Sequence, residues 1–254
     1  MIKKLIVIIA ILLCSSFAFA GMQDMHKAVI ARMNVSSGGT PTFVEEVLRD
    51  SADLTSGVGD TNVFTLTSGV TKNNRIMVAM AWQAASPVSI TSVADSQGNT
   101  YAAHQNLNFN TSENIAIWSA NAATALTGST DTITITWDGD TNGPLGVIVS
   151  EGSGISTTGQ PDGGTTGTGG STSPTASAST TSAKTLCIGI VKYYDTSITY
   201  GSSAWTISGS QFVIYSSNNK AYLFYSEESS SGAKDPLGTL SSSDTWGVAW
   251  ASFD

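Results

Sequence analysis

The feature that most constrains this chain is a succession of short β-type runs, without a convincing helical pattern, from Thr42 onward. Each run is rich in Val, Ile, Thr and aromatic residues and is bounded by Gly, Asn, Asp or Ser, a pattern typical of strands joined by turns. The clearest runs are 75–82, 88–94, 114–120, 131–137, 145–151, 185–193, 204–208, 220–227 and 245–253. The sequence therefore predicts an all-β fold.

Two of these runs indicate how their strands are buried. In 131–137, Ile133, Ile135 and Trp137 alternate with threonines, so one face of the strand is apolar and the other can meet water. The run 75–82 is apolar at nearly every position. This predicts a central strand that is covered on both faces.

The order of the runs occurs twice along the chain. The first series is 75–82, 89–91, 115–119 and 146–150, and the second is 185–194, 197–200, 221–226 and 247–252. A four-stranded unit with one apolar face cannot bury that face alone, so two such units should pack together. We expect one domain over 42–254, an antiparallel two-sheet β-sandwich built from two similar four-stranded halves.

The connection between the halves, 152–184, is rich in Gly, Ser and Thr. A flexible linker is one interpretation of this composition. A polar stretch can also form an edge strand, and 175–182 alternates Ser or Thr with Ala in a way that suits one. We expect part of the connection to pack on the domain and the glycine cluster 163–170 to form an exposed loop.

The N-terminal segment resembles a secretory signal peptide. Met1-Ile2-Lys3-Lys4 is basic, 5–14 is apolar, and Ala18-Phe19-Ala20 places small residues at the two positions that a signal peptidase reads, so 1–20 should be removed. The alternative is a membrane anchor, but the apolar run is short for a spanning helix. We expect a secreted protein, extracellular or periplasmic, without membrane insertion after cleavage. Its leader, 21–41, is predicted to be a short amphipathic helix or disordered.

The net charge argues against nucleic acid as a partner, and the cysteine content argues against an internal disulfide. The chain has 11 basic and 19 acidic residues and a net charge of -8, which disfavours nucleic acid as a partner. Signal cleavage would remove Cys14 and leave Cys187 alone, so no internal disulfide is expected. Cys187 lies in an apolar run and is predicted to be a buried small side chain.

The hexapeptide 138–143 suggests calcium more than any other segment. Asp138, Asp140 and Asn142 place oxygen ligands at alternate positions before Gly143, as at the start of a calcium loop. The twelfth position of such a loop should be a glutamate, and here it is Val149. The alternative is a polar turn between two strands. Calcium therefore stays a candidate ligand beside the polar-turn alternative, and no other cofactor or metal is predicted.

No combination of residues predicts a catalytic site. A Ser-His-Asp arrangement would have to use His104, since His26 lies in the leader, and no nucleophile-elbow motif accompanies it. Glycosidase chemistry needs two facing carboxyl groups, and spacing alone pairs none of the glutamates. The available glutamates are Glu45, Glu46, Glu113, Glu151, Glu227 and Glu228. In Glu45-Glu46 and in Glu227-Glu228, we expect one member of each pair to point to solvent.

Aromatic residues fall into two groups. The first lies on apolar strands and is predicted to be core: Trp82, Trp118, Trp137, Trp246 and Trp250. The second flanks turns, where exposed rings could stack on sugars: Tyr193, Tyr194, Tyr200 and Trp205. No ligand-binding residue can be assigned from either group.

Several segments carry a resemblance to known proteins. The turn-forming 93–101, followed by 117–120, 132–136 and 180–186, is similar to a broad group of uncharacterised bacterial and phage-associated surface proteins. The likeness covers 42–253. It implies a jelly-roll-like or immunoglobulin-like β-sandwich in an extracellular or virion-surface setting, and it implies no active residue.

Three functions remain open at this point. The favoured one is a secreted, non-enzymatic module that binds a carbohydrate or a protein partner at the cell surface. The alternative is a structural or assembly protein, of the surface or of a phage-derived virion, in which edge strands of separate copies pair. A carbohydrate-active enzyme is the third, and fold analogy cannot decide among them.

Overall fold

A computed structural model gives the architecture of most of the chain after the leader. The described residues are 39–54, 60–84, 88–110, 112–139, 143–158, 160–194, 197–199, 205–213, 219–236 and 238–254. Within them the protein is all-β, with antiparallel strand pairs and no helix. Over the same residues, no helix has the length and apolar character needed to cross a membrane. The predicted signal peptide and nearly all of the predicted leader lie outside these ranges.

The first half of the chain forms two sheets from eight strands. The strands are β1 (Thr42–Leu54), β2 (Thr61–Thr65), β3 (Arg75–Gln83), β4 (Ile90–Asp95), β5 (Tyr101–Phe109), β6 (Glu113–Asn121), β7 (Thr132–Trp137) and β8 (Gly143–Ser153). One sheet has five strands in the order β1-β8-β3-β6-β5, and the other has three in the order β2-β7-β4. β1 and β5 are the edges of the larger sheet.

The second half has nine strands in three sheets. They are β9 (Gly163–Gly169), β10 (Ala178–Thr180), β11 (Thr185–Tyr194), β12 (Ile198–Thr199), β13 (Thr206–Val213), β14 (Asn219–Glu228), β15 (Gly232–Lys234), β16 (Thr239–Leu240) and β17 (Trp246–Phe253). The large sheet has the order β13-β14-β11-β17-β9, and two small sheets pair β10 with β15 and β12 with β16.

The two five-stranded sheets share one connectivity. β3 lies between β6 and β8, and β11 lies between β14 and β17, so each central strand is the first run of its predicted series and its neighbours are the third and fourth. β1 and β9 extend the two sheets at corresponding edges, and β5 and β13 do so at the opposite edges. Each half is larger than the predicted four strands: the first half adds β1, β2, β5 and β7, and the second adds β13, the glycine-rich β9 and the short β10, β15 and β16.

Three apolar clusters lie between the sheets. The first outer cluster packs one face of β3 against β7 and includes Ile76, Val78, Met80, Trp82, Ile133, Ile135 and Trp137. The central cluster packs the opposite face of β3 against β11 and β17 and includes Met77, Ala79, Ala81, Ile188, Ile190, Ala249 and Ala251. The second outer cluster packs the remaining face of β11 and β17 against β12 and β16 and includes Cys187, Val191, Val248, Trp250, Ile198 and Leu240. β3 is therefore covered on both faces, as predicted.

The predicted exposed loop at 163–170 is wrong, because Gly163–Gly169 is strand β9, paired antiparallel with β17. Glycine is required there by close packing. A Cβ at Gly169 would overlap the Trp246 indole, and Gly164 has a φ of +144° with the Ala251 Cα 2.8 Å from the position of a Cβ. The predicted edge strand within 175–182 is present as β10, paired with β15.

Candidate functional site

A row of asparagines marks the free edge of the first five-stranded sheet. β5 is an edge strand, and its residues Leu107 and Phe109 pack on the central cluster. Because side chains alternate along a strand, Asn106 and Asn108 lie on the other face. Asn110 follows at the end of β5 with a φ of +50°, which an asparagine tolerates in a turn.

Two neighbouring cavities open along this row. The first has a volume of about 300 Å³ and is lined by Val88, Ser89, Asn106, Asn108 and Asn114. The second has a volume of about 390 Å³ and is lined by Asn108, Phe109, Asn110, Thr168, Gly169, Gly170, Thr245 and Trp246. They share Asn108, and we refer to the pair as the amide cleft. None of these lining residues carries a charge.

Hydrogen bonds among the amides position the middle of the cleft. Asn108 and Asn114 are opposite each other in the pairing of β5 with β6, and Nδ2 of Asn108 donates to Oδ1 of Asn114 at 2.8 Å. Nδ2 of Asn114 donates in turn to the Ser112 carbonyl at 3.2 Å. An amide has two donor hydrogens and two acceptor lone pairs, so each asparagine retains capacity for a further partner.

The aromatic walls of the second cavity are nearly buried. Phe109 is 5% exposed and Trp246 is 4% exposed. The Trp246 indole Nε1 donates to Ser171 Oγ at 3.3 Å, which orients the ring. Only small parts of these two rings are therefore open to a ligand, which would hydrogen-bond mainly with amides and hydroxyls.

The calcium candidates are only partly described. Asp138 Oδ1 accepts a hydrogen bond from the Ser89 amide at 2.7 Å, so this carboxylate positions a residue that lines the first cavity. Asp140 and Asn142 lie outside the described residues. Among the residues that the structure does describe, no three His, Cys, Asp or Glu side chains are grouped to hold a metal ion. Calcium binding stays a prediction.

The glutamate pairs near strand ends behave as predicted. Glu45 and Glu227 are exposed, and Glu46 and Glu228 are less so. Each of the latter two forms an ion pair with a nearby basic side chain. The exposed Glu227 accepts a hydrogen bond from a β1 amide through Oε1 at 2.8 Å.

Two other glutamates are buried and joined to other elements. Glu151 is 2% exposed and accepts hydrogen bonds from the Thr71 amide, at 2.9 Å, and from Nδ2 of Asn74. Glu113 forms an ion pair with Lys192 of β11. These contacts connect strands and loops, and neither carboxylate is among the residues that line the amide cleft.

His104 lies beside a serine and an arginine. Its Nε2 is 2.6 Å from Ser119 Oγ, which also accepts a hydrogen bond from Nε of Arg75 at 3.1 Å. Burial, and then the Arg75 charge, lower the pKa of His104 from 6.5 to about 4, so the ring is neutral at pH 7. Ser119 is 1% exposed, so a substrate cannot reach its hydroxyl without movement of the surrounding strands.

The remaining predicted residues lie mostly in the core. Of the five strand tryptophans, four are buried, and the fifth, Trp118, is partly buried against the first outer cluster. Among the aromatics near turns, Tyr193 and Trp205 are also buried, Tyr194 is half-buried, and Tyr200 lies outside the described residues. Cys187 is a free thiol and is buried, as predicted, and this burial raises its pKa to about 12.

Sequence reasoning missed the amide cleft. The signal was available as the alternation Asn106-Leu107-Asn108-Phe109-Asn110, which places amides at every second position of a strand. What the alternation could not reveal is that β5 is an edge and that glycine-rich β9 and the start of β17 complete the second cavity.

Comparisons with protein-family models, with curated proteins and with solved structures find no match for this chain.

Proposed function

We propose that this protein is a secreted, non-enzymatic binding module that takes a neutral carbohydrate in the amide cleft. The observation that carries the proposal is the pair of cavities that share Asn108 and are lined by asparagine amides, hydroxyls and the aromatic residues Phe109 and Trp246. Precisely placed polar groups beside apolar walls are typical of small-molecule sites. Sugar hydroxyls can both donate to and accept from amides, which makes the side-chain chemistry complementary.

Charge favours a neutral sugar over an acidic one. The described lining of the cleft has no basic side chain that could offset an anionic group. The whole chain carries a net charge of -8, so an acidic polysaccharide would also meet long-range repulsion. Both observations favour a neutral glycan, which the protein would meet in the extracellular or periplasmic space.

The proposed scaffold is the jelly-roll-like two-sheet sandwich expected from the sequence, with the two five-stranded sheets, one from each half of the chain, packed face to face. The three apolar clusters support it, since each outer cluster packs a five-stranded sheet on smaller sheets and the central cluster joins the two five-stranded sheets. In this arrangement residues of β5, β6, β9 and β17 supply much of the cleft, and residues between strands supply the rest. Such a site needs little ordering when a ligand binds.

A glycan array tests the proposal. The wild-type protein should bind neutral glycans in preference to acidic ones, and an N106A/N108A double variant should lose that binding. Asn121→Ala is the matched control, because Asn121 lies at the far end of β6 and is not among the residues that line the cleft. Absence of binding to any glycan, or equal binding by the double variant, would refute the proposal.

Self-association is the second candidate, and one observation favours it. Val63 is 59% exposed on edge strand β2, and Val44 is 46% exposed on edge strand β1. Edge strands with exposed apolar side chains can pair with a second copy of the same chain. Light scattering over a concentration series tests this: a strictly monomeric protein at high concentration would exclude the assembly function.

A further inference from the structure

A lysine and a glutamate meet in the interior between the two five-stranded sheets. Lys192 belongs to β11 and Glu113 begins β6, and both side chains are 0% exposed. The two groups form an ion pair, and Nζ of Lys192 also donates a hydrogen bond to the Trp82 carbonyl of β3 at 2.8 Å. A side chain of one sheet is thus held against two strands of the other.

The two oxygens of the Glu113 carboxyl group differ. Oε1 accepts a hydrogen bond from the Tyr194 hydroxyl. Oε2 faces Nζ of Lys192 as its ion-pair partner, yet it accepts no hydrogen bond of ordinary geometry from the described residues. One oxygen is therefore held by a donor, while the other is presented to an amine without a hydrogen bond.

A buried ion pair is an unfavourable way to join two sheets. Removing both charges from water is costly, and the pair offsets that cost only when further hydrogen bonds complete it. Burial lowers the pKa of Lys192 well below its ordinary value, which favours the neutral amine. A neutral amine is a nucleophile. Holding it beside the carboxyl carbon of Glu113 lowers the barrier to their reaction, because the two groups need not first meet by diffusion.

We propose that Lys192 and Glu113 condense to an isopeptide amide that covalently links the two five-stranded sheets. A proton moves from the ammonium to the carboxylate, so that a neutral amine faces a neutral acid. The bond from Nζ to Cδ forms and the bond from Cδ to Oε2 breaks. Oε2 leaves with two hydrogens as water, and no oxidant, reductant or cofactor is consumed.

The surroundings fit two parts of this step, the charge on the retained oxygen and the orientation of the amine. Tyr194 donates to Oε1, the oxygen that is retained, and so stabilises the negative charge that develops on it in the tetrahedral intermediate. The Trp82 carbonyl holds one hydrogen of Nζ and thereby orients the amine. The product amide is neutral, so the link replaces two buried charges with one polar group.

A second ion pair in the same chain provides an internal control. Lys234 Nζ is 2.6 Å from Glu228 Oε2, but these side chains are 9% and 11% exposed. Water reaches this pair, and only six residues separate its members along the chain. Both residues should remain unlinked.

Intact-mass spectrometry of the denatured wild-type protein tests the proposal directly. After peptide mapping has located the mature N terminus, the mass should be lower than that of the linear chain by one water molecule. Fragmentation should recover one branched peptide that joins the Glu113 and Lys192 segments, with Glu228 and Lys234 in unlinked form. A mass equal to that of the linear chain, or a lost water located elsewhere, would overturn the proposal.

Two variants assign the bond to its partners. Glu113→Ala removes the acyl group and Lys192→Arg removes the nucleophilic amine, so both proteins should have the full linear mass. A remaining deficit of one water in either variant would contradict the assignment. Mass does not depend on correct folding, and the wild-type result decides the question even where a variant folds poorly.

Discussion

The backbone of Gly169 lies directly against the indole of Trp246, and a Cβ on this glycine would come within 2.8 Å of Cε2 of the ring. Both residues line the second cavity of the amide cleft. The contact sets how closely β9 approaches β17, and it therefore determines both the stability of this sheet edge and the shape of the cavity.

Gly169→Ala should destabilise the protein by about 1–3 kcal/mol, the usual cost of forcing an extra methyl group into a packed site. Gly170→Ala is the matched control, since a Cβ there would meet no atom within 4 Å. Urea unfolding of both variants measures the difference. Equal stability of the two variants would show that the close approach of β9 to Trp246 is not required.

Asn108→Ala should weaken glycan binding more than Asn106→Ala does. Asn108 lines both cavities, whereas Asn106 lines only the first. Loss of one hydrogen bond to a ligand costs about 0.5–1.5 kcal/mol, which corresponds to roughly a two- to tenfold weaker affinity. Isothermal titration with a glycan from the array compares the two, and an unchanged affinity in Asn108→Ala would contradict the placement of the ligand.

Protonation of His104 should lower the free energy of unfolding as the pH falls from 6.5 to about 4. The folded-state pKa of His104 is lowered to about 4, whereas the unfolded chain has the ordinary value of 6.5. Between these values the unfolded state binds more protons, so acid favours unfolding. In His104→Gln the free energy of unfolding should depend less steeply on pH in this window. Identical pH profiles for both proteins would argue against a neutral, partly buried ring.

Ser96→Ala should raise the pKa of Asp131 toward its ordinary value. Hydrogen bonds from Ser96, from Gln97 and from the Thr127 amide hold this pKa below 3.8. A carboxylate with a lowered folded-state pKa stabilises the protein above its unfolded pKa, and this contribution is lost as the pH falls through the folded-state value. Carboxyl-carbon NMR titration of Asp131 measures the shift, and Ser92→Ala, another exposed serine, is the control.

Val63→Lys should abolish any self-association that uses the β2 edge. A charge on an edge strand disfavours pairing with a second copy because the ammonium would have to lose its hydration. Since Val63 is 59% exposed, the folded monomer should keep its stability. Light scattering and thermal unfolding measure the two effects. Association that persists in this variant would exclude the β2 edge as the contact.

Strands with an apolar periodicity could be predicted from the sequence, and strands without one could not. β3 was predicted as a central strand because all its positions from Ile76 to Trp82 are apolar, and each is buried. The turn after β4 was also predicted: Gly98 has a φ of +77°, and Asp95 Oδ1 accepts from the Gln97 amide at 3.0 Å. Both features are determined by residues that are close together along the chain.

β9 and the amide cleft depend on contacts between distant segments. The glycines of β9 have no side chain to show a period, and their role is to let the backbone approach Trp246 and β17. The cleft combines β5 with segments more than fifty residues further along the chain. Lys192 and Glu113 are likewise brought together only by the packing of two sheets. No local pattern carries that information.

The central cluster makes each half of this protein dependent on the other. A chain that ended after β8 would leave the apolar face of Met77, Ala79 and Ala81 open to water, and it would need a second molecule to cover that face. Fusing both halves in one polypeptide turns this association into an intramolecular step. Dilution therefore cannot separate the halves, because the link keeps each at a high effective concentration near the other.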